Sequence, residues 1–407
     1  MVIQRRLSRA MVFAWFFWVG SLPVVAQQGN FPPLEFKHGA RIVFLGGSFF
    51  ENELEDCYLE FAFTSRWPDR ALTFRNLGWT GDNVYAEARS TFTTPPTPYQ
   101  QLFQQIRSTR PDYVLIAYGT VEAQKGEAGV EEFTRGLEVI IDSVDALGAQ
   151  TILLSTIPVR LAGTQENTLN LNKNLQLYRD AIARIASKRK KRFVDLYTPV
   201  SQSKAPIYAY NGIHLNAKGY YYVARLLEEA FGWPSRGETI NLSAGEGNAP
   251  QGEPGAPPLT REGNRWKFSV QENLLPLPIP PSGEADPVIS VQLRVSGLPA
   301  GRYLLAENGN ELRTVSSGEL EKGIALISTV SQSQAARLAD SIAKKNNFFF
   351  QQYRPMNRTY ILGFREYEQG RHKQGLQELD KFIDQLEAHI REQIAPVKKT
   401  YELIPAK

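Results

Sequence analysis

The chain has 407 residues, 42% of them hydrophobic and 22% charged, a balance that excludes global disorder and predicts two or three folded units at roughly 150 residues each. The formal net charge is +4, but Arg5, Arg6 and Arg9 supply three of those charges, so the remainder has no basic footprint for nucleic acid. The single cysteine, Cys57, excludes an intrachain disulfide and a multi-cysteine zinc site.

Residues 1–26 begin with those arginines. An uncharged apolar run, Met11 to Val25, follows, and the segment ends in the small residues Val24 and Ala26. This is the layout of a secretory signal peptide cut after Ala26. The alternative, a retained anchor, is disfavoured because the run is short for a span of about 20 residues. The expected location is the periplasm or the extracellular space, with no stable membrane span after cleavage.

From residue 41 onward, strand-like and helix-like runs alternate. Arg41–Gly46, Ala71–Leu77, Asp112–Tyr118, Thr151–Ser155 and Arg192–Leu196 read as short apolar strands. Glu51–Arg66, Val130–Leu147, Leu171–Lys188 and Lys218–Phe231 read as helices. That order predicts an α/β fold, a doubly wound parallel sheet covered on both faces as a three-layer sandwich, over residues 39–235. A Gly/Pro-rich linker is expected at 236–263. A small antiparallel β unit is expected at 264–330, from strands at Trp266–Val270, Val288–Val295, Tyr303–Ala306 and Ile324–Ser328, with Asn308-Gly309 as a hairpin turn. Residues 331–397 form a helical extension. Within it Gln332–Asn346 is one helix, and Leu376, Leu379, Ile383, Leu386 and Ile390 line one face of another, docked on its own chain. The aromatic segment 348–364 either seals this extension against the main domain, stacks on sugars or covers the cleft as a lid.

Ligands bind beyond the carboxyl ends of the strands in such a sheet. Gly46-Gly47-Ser48 follows the first strand, Asn76 to Asp82 the second and Gly119 to Glu122 the third, while Asn211-Gly212-Ile213-His214 precedes the last helix. A serine at a glycine-lined strand-to-helix turn has an exposed hydroxyl and backbone N–H groups suited to an oxyanion, but it needs a base. Of the four histidines, His38 falls at the wrong end of the sheet and His372 and His389 in the C-terminal helices, leaving His214.

In chain order these blocks resemble the GDSL/SGNH hydrolases over about residues 39–235. The resemblance rests on Gly46-Gly47-Ser48, on NLGWTGDNV around Gly78 and Gly81, on Gly119 to Glu122, and on GIHLNAKGY around His214. It implies an ester hydrolase in which Ser48 attacks, His214 takes the proton, and the N–H groups of Ser48 and of Gly81 or Gly78 hold the oxyanion. The longer layout is similar to an exported bacterial subgroup with a C-terminal extension. Three positions depart from the family pattern. Gly47 replaces the aspartate of Gly-Asp-Ser, Val121 replaces the asparagine oxyanion donor, and Asn211 replaces the triad aspartate. Asp195 is the candidate to supply the missing carboxylate, and Asn83 or Asn76 the missing donor. Glu122 is expected to order its loop. The resulting expectation is a Ser–His dyad acting on an acyl group of a glycan or another extracellular ester. The alternative is a non-catalytic relative that binds carbohydrate or a protein through the inherited cleft. No metal or organic cofactor is expected. Oligomeric state is left open.

Overall fold

The computed structural model describes residues 31–89, 96–163, 165–244, 259–281, 291–356, 365–368 and 372–406. The expected signal segment, residues 1–26, and the core of the Gly/Pro-rich stretch, 245–258, lie outside them.

The first unit is a five-stranded parallel sheet of β1 (Arg41–Gly46), β2 (Thr73–Gly78), β3 (Tyr113–Ala117), β4 (Gln150–Leu154) and β5 (Arg192–Val194), ordered β2-β1-β3-β4-β5. Adjacent residues of β1 divide between two cores. Ile42 and Phe44 pack on one face, with α2 (Tyr58–Arg66) and α7 (Ala217–Ala230). Val43 and Leu45 pack on the other, with α3 (Pro98–Thr109), α4 (Val130–Ala146) and α5 (Gln165–Arg189). A strand buried on both sides has no polar face, which is why these strands read as continuous apolar runs.

Two local features depart from expectation. The helix expected over Glu51–Arg66 is two helices, α1 (Ser48–Asp56) and α2, because Cys57 turns to φ +56°. The buried Glu53 carboxylate takes the freed N–H groups of Leu59 and Glu60 at 2.6 and 3.3 Å, giving the second helix its start. Helix α3 was not anticipated, although Thr97, Pro98 and Gln100 form a capping box with proline at its first position. A short helix, α6 (Tyr197–Gln202), precedes α7.

The second unit is larger than the expected 264–330. It holds two sheets built from β6 (Thr239–Ser243), β7 (Thr260–Glu262), β8 (Arg265–Val270), β9 (Val291–Ser296), β10 (Arg302–Glu307), β11 (Asn310–Ser316), β12 (Ile324–Leu326) and β13 (Lys399–Ala406), with α8 (Ser317–Lys322) between β11 and β12. The sheet orders are β11-β10-β13-β8-β7 and β12-β9-β6. Two boundaries are therefore corrected. Part of the expected linker is strand β6, which pairs in parallel with β9, and the end of the chain returns as β13 between β8 and β10. Asn308 and Gly309 both have positive φ, +49° and +83°, and close the β10–β11 hairpin.

Helices α9 (Thr329–Tyr353) and α10 (His372–Gln393) pack antiparallel, tied by Gln352 Nε2 to Asp380 Oδ1 at 2.7 Å and Gln334 Nε2 to the Gln393 carbonyl at 2.7 Å. They dock on the first unit through apolar residues and buried ion pairs, Lys345 with Glu60 at 2.7 Å and Arg75 with Glu387 at 2.5 Å. Among the described residues, no helix is long and apolar enough to cross a membrane.

Because β13 is a central strand carrying the fully buried Tyr401 and Leu403, a chain stopped after Pro396 should lose the second unit. Each buried side chain of that size contributes roughly 1.5–3 kcal/mol, before the hydrogen-bond ladders on both edges are counted. The expected result is rapid limited proteolysis within 237–330. Protection equal to that of the full chain would refute the role given to β13.

Candidate active site

Ser48 is the first residue of α1, directly beyond β1. Gly46 permits the turn: a Cβ there would lie 2.3 Å from the Ala117 carbonyl of β3. Glu51 N–H bonds the Gly47 carbonyl at 3.2 Å, opening the helix. The N–H of Ser48 has no partner among the described residues and sits at the positive end of the helix. Gly81, exposed at φ +78°, likewise has an unpaired N–H.

His214 reaches the same place from a fixed loop. Gly212, at φ +66°, packs so tightly that a Cβ would meet the Arg160 carbonyl at 1.9 Å, and its own carbonyl accepts the Arg160 N–H at 2.7 Å. Beyond the histidine, Asn216 caps α7 through the Gly219 N–H at 3.0 Å and bonds the Tyr208 carbonyl at 2.9 Å. These contacts explain the glycine and asparagine positions of GIHLNAKGY. Ser48 and His214 line one cavity, together with Asn52, Thr120, Ile157 and Ile213. No hydrogen bond joins Ser48 Oγ to the imidazole among the described residues.

Asn211 determines what that imidazole can do. Its Oδ1 accepts the N–H groups of Ile213 and His214, both at 3.0 Å. The carbonyl end of the amide is thereby committed, and Nδ2 faces His214 Nδ1 at 3.2 Å. An amide nitrogen can only donate, so this contact favours the imidazole with its proton on Nε2. A general base for Ser48 needs that proton on Nδ1 and a free lone pair on Nε2.

Three comparisons bear on this site. The family model described as GDSL-like lipase/acylhydrolase matches residues 44–222. Residues 44–222 belong to that family. Among solved structures, a gut microbial diltiazem-metabolizing enzyme shares the fold over 92% of this chain and 100% of its own, at 16% identity and a TM-score of 0.70. A GDSL-like lipase from Bacteroides thetaiotaomicron (18% identity, 47% of this chain and 88% of its own, TM-score 0.36) and an acetylxylan esterase mutant from Geobacillus stearothermophilus (16%, 49% and 98%, 0.39) also match. A search of curated proteins found no match.

The structure reassigns several candidates in this hydrolase domain. Gly78 is not an oxyanion donor. Its N–H is held by Asn76 Oδ1 at 2.8 Å, and its missing Cβ makes room for the Glu51 backbone at 2.3 Å. Asn76 is spent on Gly78 and on the Phe50 carbonyl, and Asn83 on Glu87 and the Tyr85 N–H, so neither replaces the donor lost at Val121. Asp195 does not complete a triad. Its carboxylate pairs with Arg179 and accepts from Thr198 Oγ1 at 2.7 Å and the Thr198 N–H at 3.2 Å, supporting the start of α6. Among the described residues no group of three or more His, Cys, Asp or Glu is placed to hold a metal.

Other residues emerge from the geometry. Thr120, adjacent to the degenerate Val121, and Asn52, one helical turn after Ser48, both line the cavity, their side chains unpaired among the described residues. The loop carrying Gly81 is held from beneath and from the side. Buried Asp82 bonds Arg89 Nε at 2.8 Å and the Tyr118 hydroxyl at 2.9 Å, while Arg89 and Arg354 contact the Trp79 ring. Tyr353 donates its hydroxyl to the Gly78 carbonyl at 2.8 Å, and Glu51 joins Thr80 to Arg354. The aromatic segment thus does seal the extension against the main domain at 348–354, next to the cleft; residues 357–364 lie outside the described residues. Arg89 carried no sequence signal, since a single arginine after a loop is ordinary.

Glu122 ties the second and third loops together. Oε1 accepts the Val84 N–H and Oε2 the Gly119 N–H, both at 2.9 Å. Burial nonetheless pushes its carboxyl up from 4.5 to about 7. An acid whose pKa is higher folded than unfolded loses stability as pH rises from the unfolded value through the folded one, here on the order of 3 kcal/mol in all. The unfolding midpoint should therefore fall between about pH 5 and pH 8, and the fall should shrink in Glu122→Gln. An equal slope in the variant would contradict this assignment.

Proposed function

We propose that this protein is an exported serine ester hydrolase whose rate is held down by Asn211. The observation that carries this reading is the shared cavity: Ser48 and His214 face it from two rigid elements, the Ser48 N–H is unpaired among the described residues, and the unpaired Gly81 N–H belongs to the adjoining loop, whose Asp82 carbonyl lies near Gly47. Ser48 Oγ attacks the acyl carbon, its proton passes to His214 Nε2, and the two N–H groups take the oxyanion. The alcohol leaves with the histidine proton, and water then releases the acid from the acyl-serine by the same route. Apolar walls at Ile157, Val159 and Ile213 suit a short acyl group on a glycan or other extracellular ester. The basic-then-apolar sequence of residues 1–26 supports export.

The second reading, a binder without turnover, is favoured by one observation: the Asn211 amide stabilises the unproductive imidazole. In serine proteases the equivalent aspartate-to-asparagine change lowers turnover roughly 10⁴-fold through the same tautomer. Asn211→Asp separates the readings. A carboxylate keeps both backbone N–H bonds and turns its second oxygen toward Nδ1, now an acceptor for Nδ1–H. Hydrolysis of a short-chain aryl ester by the mature chain should be abolished in Ser48→Ala and raised at least about 100-fold in Asn211→Asp. Activity unchanged in Ser48→Ala refutes the serine mechanism. No gain in Asn211→Asp, with the fold intact, favours the binder.

A further inference from the structure

A second cavity, of about 430 Å³, lies away from Ser48, between α3, strand β2 and the C-terminal helices α9 and α10. It falls within the usual size of small-molecule sites, roughly 300–1,000 Å³. Its chemistry is mixed and largely unused. Arg75 is 8% exposed; its Nη1 bonds the Phe74 carbonyl and Glu387, leaving Nε and Nη2 without partners among the described residues. Arg41 spends Nε on Thr73 and Nη1 on the Thr109 carbonyl, leaving Nη2. Asp380 accepts from Gln352 through Oδ1 and keeps Oδ2. Gln104 is exposed at the rim with its amide unpaired. Phe349 and Tyr353 add ring surface to the wall.

We propose that this cavity binds a neutral sugar. Glu387, behind the lining, pairs with Arg75 at 2.5 Å, and Asp380 on the lining offsets the charge of Arg41, so the cavity with its paired carboxylate carries no surplus charge for an anion to neutralise. What remains among the described residues is spare donors on Arg41, Arg75 and Gln104, a spare acceptor on Asp380, and the part of the aromatic wall left open where Arg75 and Tyr353 cover the Phe349 ring. A pyranose hydroxyl both donates and accepts, and a pyranose ring edge covers an aromatic ring, so one ligand class answers all three. A phosphate or uronate would use the guanidinium groups but meet the Asp380 carboxylate. The site stands whether or not Ser48 is catalytic.

The test is titration calorimetry on the mature chain with D-glucose, D-galactose, D-xylose, cellobiose and xylobiose, beside D-glucuronate and inorganic phosphate. At least one neutral sugar should bind in the millimolar range. Gln104→Ala and Asp380→Asn, both at exposed positions, should each weaken it about 10-fold without lowering the unfolding midpoint, as loss of one hydrogen bond to a charged or polar partner does. Ser48→Ala should leave it unchanged, which separates this site from the esterase cleft. No neutral sugar binding at tens of millimolar overturns the proposal. So does tighter binding of phosphate or glucuronate, or binding indifferent to both rim variants.

Discussion

A side-chain amide held by two backbone N–H groups favours the His214 tautomer with its proton on Nε2, and the proposed chemistry of the cleft depends on that preference. Asn211 cannot flip, because turning its NH₂ toward the Ile213 and His214 N–H groups would set donors against donors. Its nitrogen therefore faces Nδ1. An aspartate at this position would keep the same backbone bonds and reverse the tautomer. On the proposed hydrolase reading, the difference between a triad and a dyad with the wrong tautomer is thus one atom, in a loop fixed by Gly212 against Arg160 and by Asn216 capping α7.

The other side of the cleft depends on the C-terminal extension. Tyr353 and Arg354, at the end of α9, hold Gly78 and Trp79, while Arg89 holds the same loop from the core. The buried pairs that dock the extension, Lys345 with Glu60 and Arg75 with Glu387, are costly to desolvate and add little net stability. Their geometry is directional, however, and each is lost if the helices shift. The likeness to a solved structure over 92% of the chain covers the extension as well as the α/β domain.

The parallel sheet was legible because strands buried on both faces leave runs such as DYVLIAY, bounded by glycines at their carboxyl ends. The meeting of Ser48 and His214 at one cavity was legible because few residues fall at that edge and only one of them is a histidine. The second unit was only partly legible. Period-two alternation marked β9 and Asn308-Gly309 marked a turn, but β13 pairs with strands about a hundred residues earlier, and no local pattern states a partner at that distance. The roles offered for Asp195, Asn83 and Gly78 fail for a common reason. Residue type shows what a group can donate or accept, whereas each of these is consumed by a nearer partner, Arg179, Glu87 and Asn76 respectively.

The same reasoning bears on Val121. Its loop is fixed through Glu122, whose two oxygens hold Val84 and Gly119, so the backbone at 119–122 keeps its place whatever side chain stands at 121. The loss of the asparagine donor is then local, and neighbouring groups can offset it. Thr120 is the nearest in sequence, with an unpaired hydroxyl facing the cavity that holds Ser48. A hydroxyl donates as an amide does, but on a shorter side chain, so in the proposed mechanism the acyl group would have to lie close to the third loop for Thr120 to meet the oxyanion. Under the proposed ester hydrolysis, the change at Val121 would therefore show in which acyl groups the site accepts.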